Sequence, residues 1–137
     1  MLRAGILGAV VAVLAVVGCG EDSSSEPGGS EPAATATSDA RSEYYRAMDR
    51  LAVRLDRAVS EAIRGEANAP TRIKDVLRQI RTRVEDYREE SPGGELLLTT
   101  AASARDYARR GDRQGLTLIR RVPLIEARDA LKSEATG

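Results

Sequence analysis

From position 39 onward, apolar residues return every three or four places between charged ones, and only glycine- or proline-bearing stretches interrupt them. That period matches the turn of an α-helix rather than the two-residue alternation of a strand. Within residues 39–64, Tyr44, Met48, Leu51, Leu55, Ala58 and Ala62 fall on one face, widened by Tyr45, Ala52, Val59 and Ile63. Asp39 is the expected N-cap and Gly65 the stop. A segment patterned in this way has to bury one stripe of a rod against other rods.

Three more such segments follow. After the turn GEANAP, residues 70–90 carry Ile73, Val76, Leu77, Ile80, Val84 and Tyr87, with Pro70 in the first turn, where its missing N–H is harmless. SPGG, residues 91–94, is a break. Residues 95–110 offer Leu96, Leu97, Ala101, Ala104, Tyr107 and Ala108, an alanine-rich face that allows a neighbouring helix to approach closely. Gly111 and Asp112 read as a C-cap followed at once by an N-cap. The last segment, residues 113–132, carries Leu116, Ile119, Val122, Leu124, Ile125, Ala127 and Leu131. Pro123 within it removes a backbone hydrogen bond and crowds the preceding turn, so this helix is expected to kink or split.

Four antiparallel helices on short connections predict an all-α fold, an up-and-down four-helix bundle over residues 39–137. Phe and Trp are absent from the chain, so the core rests on Leu, Ile, Val and Ala and stability should be modest for the size.

The bundle is preceded by a different kind of sequence. Residues 4–18 are an unbroken run of apolar and small side chains behind Arg3 and the amino terminus, the pattern of a signal h-region. Spanning a bilayer takes roughly 20 apolar residues, and here Glu21 and Asp22 follow too soon. The one cysteine of the chain, Cys19, stands at the end of the run, so no disulfide within the chain can form.

Val16-Val17-Gly18-Cys19 resembles the lipobox of bacterial lipoproteins, in which small residues precede a cysteine that is lipidated on sulfur and becomes the new N-terminus. Leucine is commoner at the first of these positions. The resemblance implies removal of residues 1–18 and lipidation of Cys19. Two acyl chains, at about 0.8 kcal/mol per buried methylene, would hold the protein at the extracytoplasmic face of the cell membrane. Gly20 stands where some two-membrane bacteria place the aspartate that retains lipoproteins at the inner membrane. Other readings of Cys19 are an ordinary secretory signal with an incidental cysteine and an uncleaved anchor.

Residues 19–38 hold no large apolar side chain and are rich in Ser, Glu, Pro, Gly, Ala and Thr, a composition expected to form a disordered linker. Its root-mean-square reach would be about 25 Å. From residue 20 to 39 there are five acids and no base, whereas residues 40–137 hold 20 bases and 16 acids. The predicted domain is thus mildly basic. An excess of four charges is small beside the clustered basic faces of nucleic-acid binders, and no nucleic-acid partner is expected.

The chain contains no histidine. That excludes Ser-His-Asp and Cys-His catalysis, the usual zinc sites, haem attachment through a cysteine-histidine motif, and the Glu and His ligands of di-iron bundles. No enzyme activity, catalytic residue, metal or other cofactor is expected. Glu85, Asp86, Glu89 and Glu90 read as a solvated face paired with Arg81, Arg83 and Arg88. Gly93-Gly94 carries no P-loop lysine pattern, and Glu95 disfavours an anion at that helix start.

Arg46, Arg50, Arg54 and Arg57 line one flank of the first predicted helix, with Asp49 and Asp56 on the other. They form either a basic stripe for anionic headgroups or wall polymers, or an edge pairing with acids of an adjacent helix. Tyr44, Tyr87 and Tyr107 fall on apolar stripes and are expected in bundle layers with their hydroxyls at the rim. Tyr45 sits at a stripe edge and joins the four arginines as a candidate interaction surface.

The pattern of residues 101–131 also resembles, loosely, small exported helical lipoproteins of GC-rich bacteria whose functions are uncharacterised. The expectation is a membrane-anchored, non-enzymatic module that contacts an envelope protein or the wall. Its rival is a bundle that binds a small ligand between helices, beside Pro123 and the alanine face. Weak dimerisation through Val53 and Leu98 is a further expectation.

Overall fold

The computed structural model describes residues 37–137. The predicted leader, Cys19 and the linker up to residue 36 lie outside the described residues. The Thr37 hydroxyl accepts the Ala40 N–H at 3.0 Å and caps α1 (Ser38–Ile63). The cap is therefore Thr37 rather than Asp39, which sits in the first turn where its charge suits the helix dipole. Ser38, which composition places in the linker, is already helical.

The remaining helices are α2 (Ala69–Asp86), α3 (Pro92–Arg110), α4 (Arg113–Arg121) and α5 (Pro123–Thr136). Among the described residues there is no strand. The fold is the expected all-α bundle: α1 packs on α2, α2 on α3, and α3 on the α4–α5 rod, which closes back onto α1. Across the bundle α1 touches α3, whereas α2 and the α4–α5 rod do not meet. The alanine face of α3 explains that asymmetry, because fully buried Ala101 and Ala104 let the α3 backbone sit deep. Met48, Leu55, Ile73, Leu77, Ile80, Leu97, Leu116 and Leu124 fill the centre.

Three boundaries differ from the sequence reading, the last being that α5 runs to Thr136, four residues past the expected end. Helix α2 ends at Asp86, four residues early, because Tyr87 turns to extended backbone and lays its ring on Tyr44. Helix α3 starts at Pro92, three residues early. Ser91 caps it by accepting the Gly94 N–H at 3.1 Å, so SPGG both ends one element and starts the next. The Gly111-Asp112 junction behaves as expected. Gly111, at φ +67°, directs its N–H to Ala108, the Asp112 N–H reaches Tyr107, and the Asp112 carboxylate then caps α4 through Gly115.

At Pro123 the rod splits. Val122 leaves helical geometry and Pro123 opens α5, which resets the angular phase of the residues beyond. Val122 and Ile125, both on the buried stripe by sequence periodicity, are consequently 50% and 51% exposed, beside Leu118 at 60%. Of the two residues expected to mediate dimerisation, Val53 is exposed and Leu98 is half-buried.

Candidate functional site

The end of the bundle where α1 begins is built on polar rather than aliphatic side chains. Tyr44, Tyr45 and Tyr87 meet there: the Tyr44 and Tyr87 rings stack at 3.8 Å with planes 3° apart, and Tyr45 stands edge-on to Tyr44 at 4.9 Å. Tyr44 is 4% exposed. Its hydroxyl, expected at the rim, is instead enclosed without a hydrogen-bond partner. Burial pushes the Tyr44 phenol up to about 12, with the neighbouring Ser91 hydroxyl pulling the other way. Burial is likewise the main reason the phenols of Tyr45 and Tyr87 are raised.

Glu134 of α5 organises this end. One carboxylate oxygen accepts the Ser91 hydroxyl at 2.8 Å and the Tyr45 hydroxyl at 3.1 Å, and the other accepts the Gly93 N–H at 2.6 Å. Glu95 disfavours an external anion at the start of α3, and the fold fills that position from within, with a carboxylate from the far end of the chain. The arrangement requires the double glycine: a Cβ on Gly93 would lie 2.8 Å from the Leu131 backbone nitrogen, and one on Gly94 would collide with the Tyr44 hydroxyl. Arg41 donates from its guanidinium to the Glu134 carbonyl and lies 5.6 Å over the Tyr45 ring.

Beside this cluster runs a groove of about 500 Å³ between α1 and α5. Arg41, Arg46, Arg128 and Lys132 stand around it with a single acid, Asp49, and Ala52, Leu131 and Ala135 supply apolar lining. Asp49 lies 3.7 Å from the Arg128 guanidinium. The Nε atoms of Arg41 and Arg128 are both enclosed and without a hydrogen-bond partner.

The structure divides the predicted interaction surface. Tyr45 and Arg46 line the α1–α5 groove. Arg54 and Arg57 border a different, shallow depression with Glu61 and Arg72, and Arg54 donates to Gln79 of α2 at 2.9 Å. Arg50 is exposed between them. Among the described residues none of the four arginines forms an ion pair. It is the acids of α1 that reach neighbouring helices: Glu43 to Arg83, Asp49 to Arg128, Asp56 to Arg120 and Glu61 to Arg72. Such exposed pairs contribute a few tenths to about 1 kcal/mol each.

Arg41, Arg128, Lys132 and Glu134 do not stand out in the sequence. The one signal for them is the i to i+4 pair Arg128 and Lys132 on either side of Leu131, which points to one basic flank of the last helix. Tyr107 lies at the opposite end, half-buried over Gly115, with the Arg110 guanidinium 5.2 Å above its ring. The acidic residues near the end of α2 are dispersed: Glu85, Asp86 and Glu90 are exposed, whereas Glu89 turns to accept the Tyr87 hydroxyl at 3.3 Å. Among the described residues no cluster of three or more metal-ligating side chains occurs, and no helix is long and apolar enough to cross a membrane.

No protein-family model matches the chain, and no curated protein or solved structure is significantly similar to it.

Proposed function

We propose that the protein is a lipid-anchored module of the cell envelope, tethered through Cys19 at the extracytoplasmic face of the membrane and acting by contact rather than by catalysis. The observation that carries this reading is the placement of the only cysteine directly after a signal-length apolar run and the small residues Val17 and Gly18. The chemistry of the domain is consistent with it. The carboxylate that organises the base of the bundle, that of Glu134, is occupied by Ser91, Gly93 and Tyr45, and a chain without histidine has few ways to move a proton near neutral pH. Incorporation of a labelled fatty acid tests the proposal. Wild-type protein is expected to take up the label and a Cys19→Ser variant to take up none. An unlabelled wild type, or equal labelling of the two, refutes the anchor.

A second reading, binding of a small ligand, is favoured by the α1–α5 groove. A gap beside Pro123 and the alanine face is the site expected for it from sequence, but Ala101 and Ala104 are fully packed, so the groove is where such a ligand would sit. Native mass spectrometry of protein isolated from its host distinguishes the two readings by the presence or absence of a co-purifying molecule.

A further inference from the structure

We infer that the groove between the first turns of α1 and the last turns of α5 seats the headgroup of an anionic phospholipid, so that the domain rests with this end against the membrane. The inference builds on the anchored reading above, because it takes the membrane as the surface within reach.

The charge of the lining favours an anion. Arg41, Arg46, Arg128 and Lys132 face the groove against Asp49 alone, and that carboxylate is engaged with Arg128. A further acid of α5, Glu134, lies behind the lining, where its carboxylate accepts from Ser91, Gly93 and the groove residue Tyr45 and its carbonyl accepts from Arg41. With four bases set against one acid in the lining, a mobile anion entering the groove meets a net positive charge.

Hydrogen bonding points the same way. Arg46 and Lys132 are exposed in the groove lining and enter no ion pair among the described residues, so their donors are available to an incoming acceptor. A phosphodiester has several acceptor oxygens and suits the planar guanidinium fork better than any neutral solute.

Shape and position favour the same ligand. Leu131 and Ala135 give the groove an apolar side, which fits the glycerol and first methylenes of a lipid and not a free inorganic anion. The groove also contains Ser38, the first residue of α1, so it lies at the end of the domain whose chain continues in sequence toward Cys19. A single lipid anchor is stabilised by a second, basic contact with anionic headgroups, and the two together are what a firm peripheral attachment needs.

The test uses the full chain as isolated, incorporated into vesicles of phosphatidylglycerol or of phosphatidylcholine, with amide hydrogen exchange as the readout. On phosphatidylglycerol, amides of residues 38–49 and 128–135 are expected to exchange several-fold more slowly than on phosphatidylcholine, and the difference should vanish in Arg128→Gln/Lys132→Gln. A single Lys132→Glu change, at an exposed position, should reduce it without perturbing the fold. Equal exchange on both lipids, an unaltered difference in the variants, or the same protection from inorganic phosphate in detergent would each overturn the inference. Because the N-terminal segment is identical in both vesicle types, the anchor cancels in the comparison. The mass of the Cys19 peptide, read on the same samples, reports separately on lipidation.

Discussion

The carboxylate of Glu134 in the last helix accepts the backbone N–H of Gly93 in the first turn of α3, at 2.6 Å. One side chain thus satisfies a free donor of a helix start, fixes the Ser91 cap and holds the Tyr45 hydroxyl, tying α1, α3 and α5 together at the base of the bundle. The helix dipole favours an anion at that position, and here the fold supplies it internally.

Removal of this carboxylate should therefore be felt beyond α5. Glu134→Ala leaves the Gly93 N–H and two hydroxyls without their acceptor and is expected to destabilise the domain by about 1–3 kcal/mol in urea unfolding. Glu134→Gln, which keeps an acceptor oxygen but not the charge, should lose less. An unchanged midpoint for both would mean that the three contacts contribute nothing net.

Crowding at Gly94 has a specific remedy. Gly94→Ala drives a methyl group into the Tyr44 hydroxyl and should destabilise by roughly 1–3 kcal/mol, the range for overpacking. Tyr44→Phe removes an oxygen that has no partner, so alone it should be close to neutral or slightly stabilising. In the double variant much of the Gly94→Ala penalty should disappear, and a double-mutant cycle measures that coupling.

Alkaline pH should weaken the fold through the same tyrosines. The Tyr44 phenol is raised from 10.0 to about 12, so the unfolded chain releases this proton before the folded one does. Stability is then independent of this group below pH 10 and falls between 10 and 12, by about 1.4 kcal/mol per pH unit for Tyr44 alone. Raised phenols at Tyr45 and Tyr87 add to the decline in the same direction. Urea midpoints followed across that range should drop steeply for wild type and less for Tyr44→Phe.

Adjacent residues at the start of α5 should respond in opposite ways. Leu124 is 2% exposed and Ile125 51%. Leu124→Ala is expected to cost about 2–5 kcal/mol as a core truncation, and Ile125→Ser within about 0.5 kcal/mol of neutral as a surface change. Comparable losses at both positions would mean that Pro123 does not reset the helix phase.

The period of the apolar residues makes the bundle legible in the sequence, since Leu51, Leu55, Ile73, Leu77, Leu97 and Leu116 can reach a common core only by packing four rods together. Turn chemistry makes the Gly111-Asp112 junction equally plain. What periodicity does not carry is phase across a break. Val122 and Ile125 fit the stripe of an unbroken helix and leave it because Pro123 begins a new one. The site is harder still. Tyr45 and Arg46 are legible because they lie on one strongly patterned helix, but Arg128, Lys132 and Glu134 matter only through the adjacency of α1, α3 and α5, and nothing local in the sequence encodes that adjacency. The four-arginine stripe is a property of one helix taken alone; neighbouring helices divide it between two depressions.

Intact-mass and N-terminal peptide analysis of protein purified from its native membranes decides whether Cys19 carries lipid. The expected product is a chain that begins at Cys19 and carries two or more acyl chains on that residue. A chain that still begins at Met1, or a Cys19 with a free thiol, would contradict the anchor.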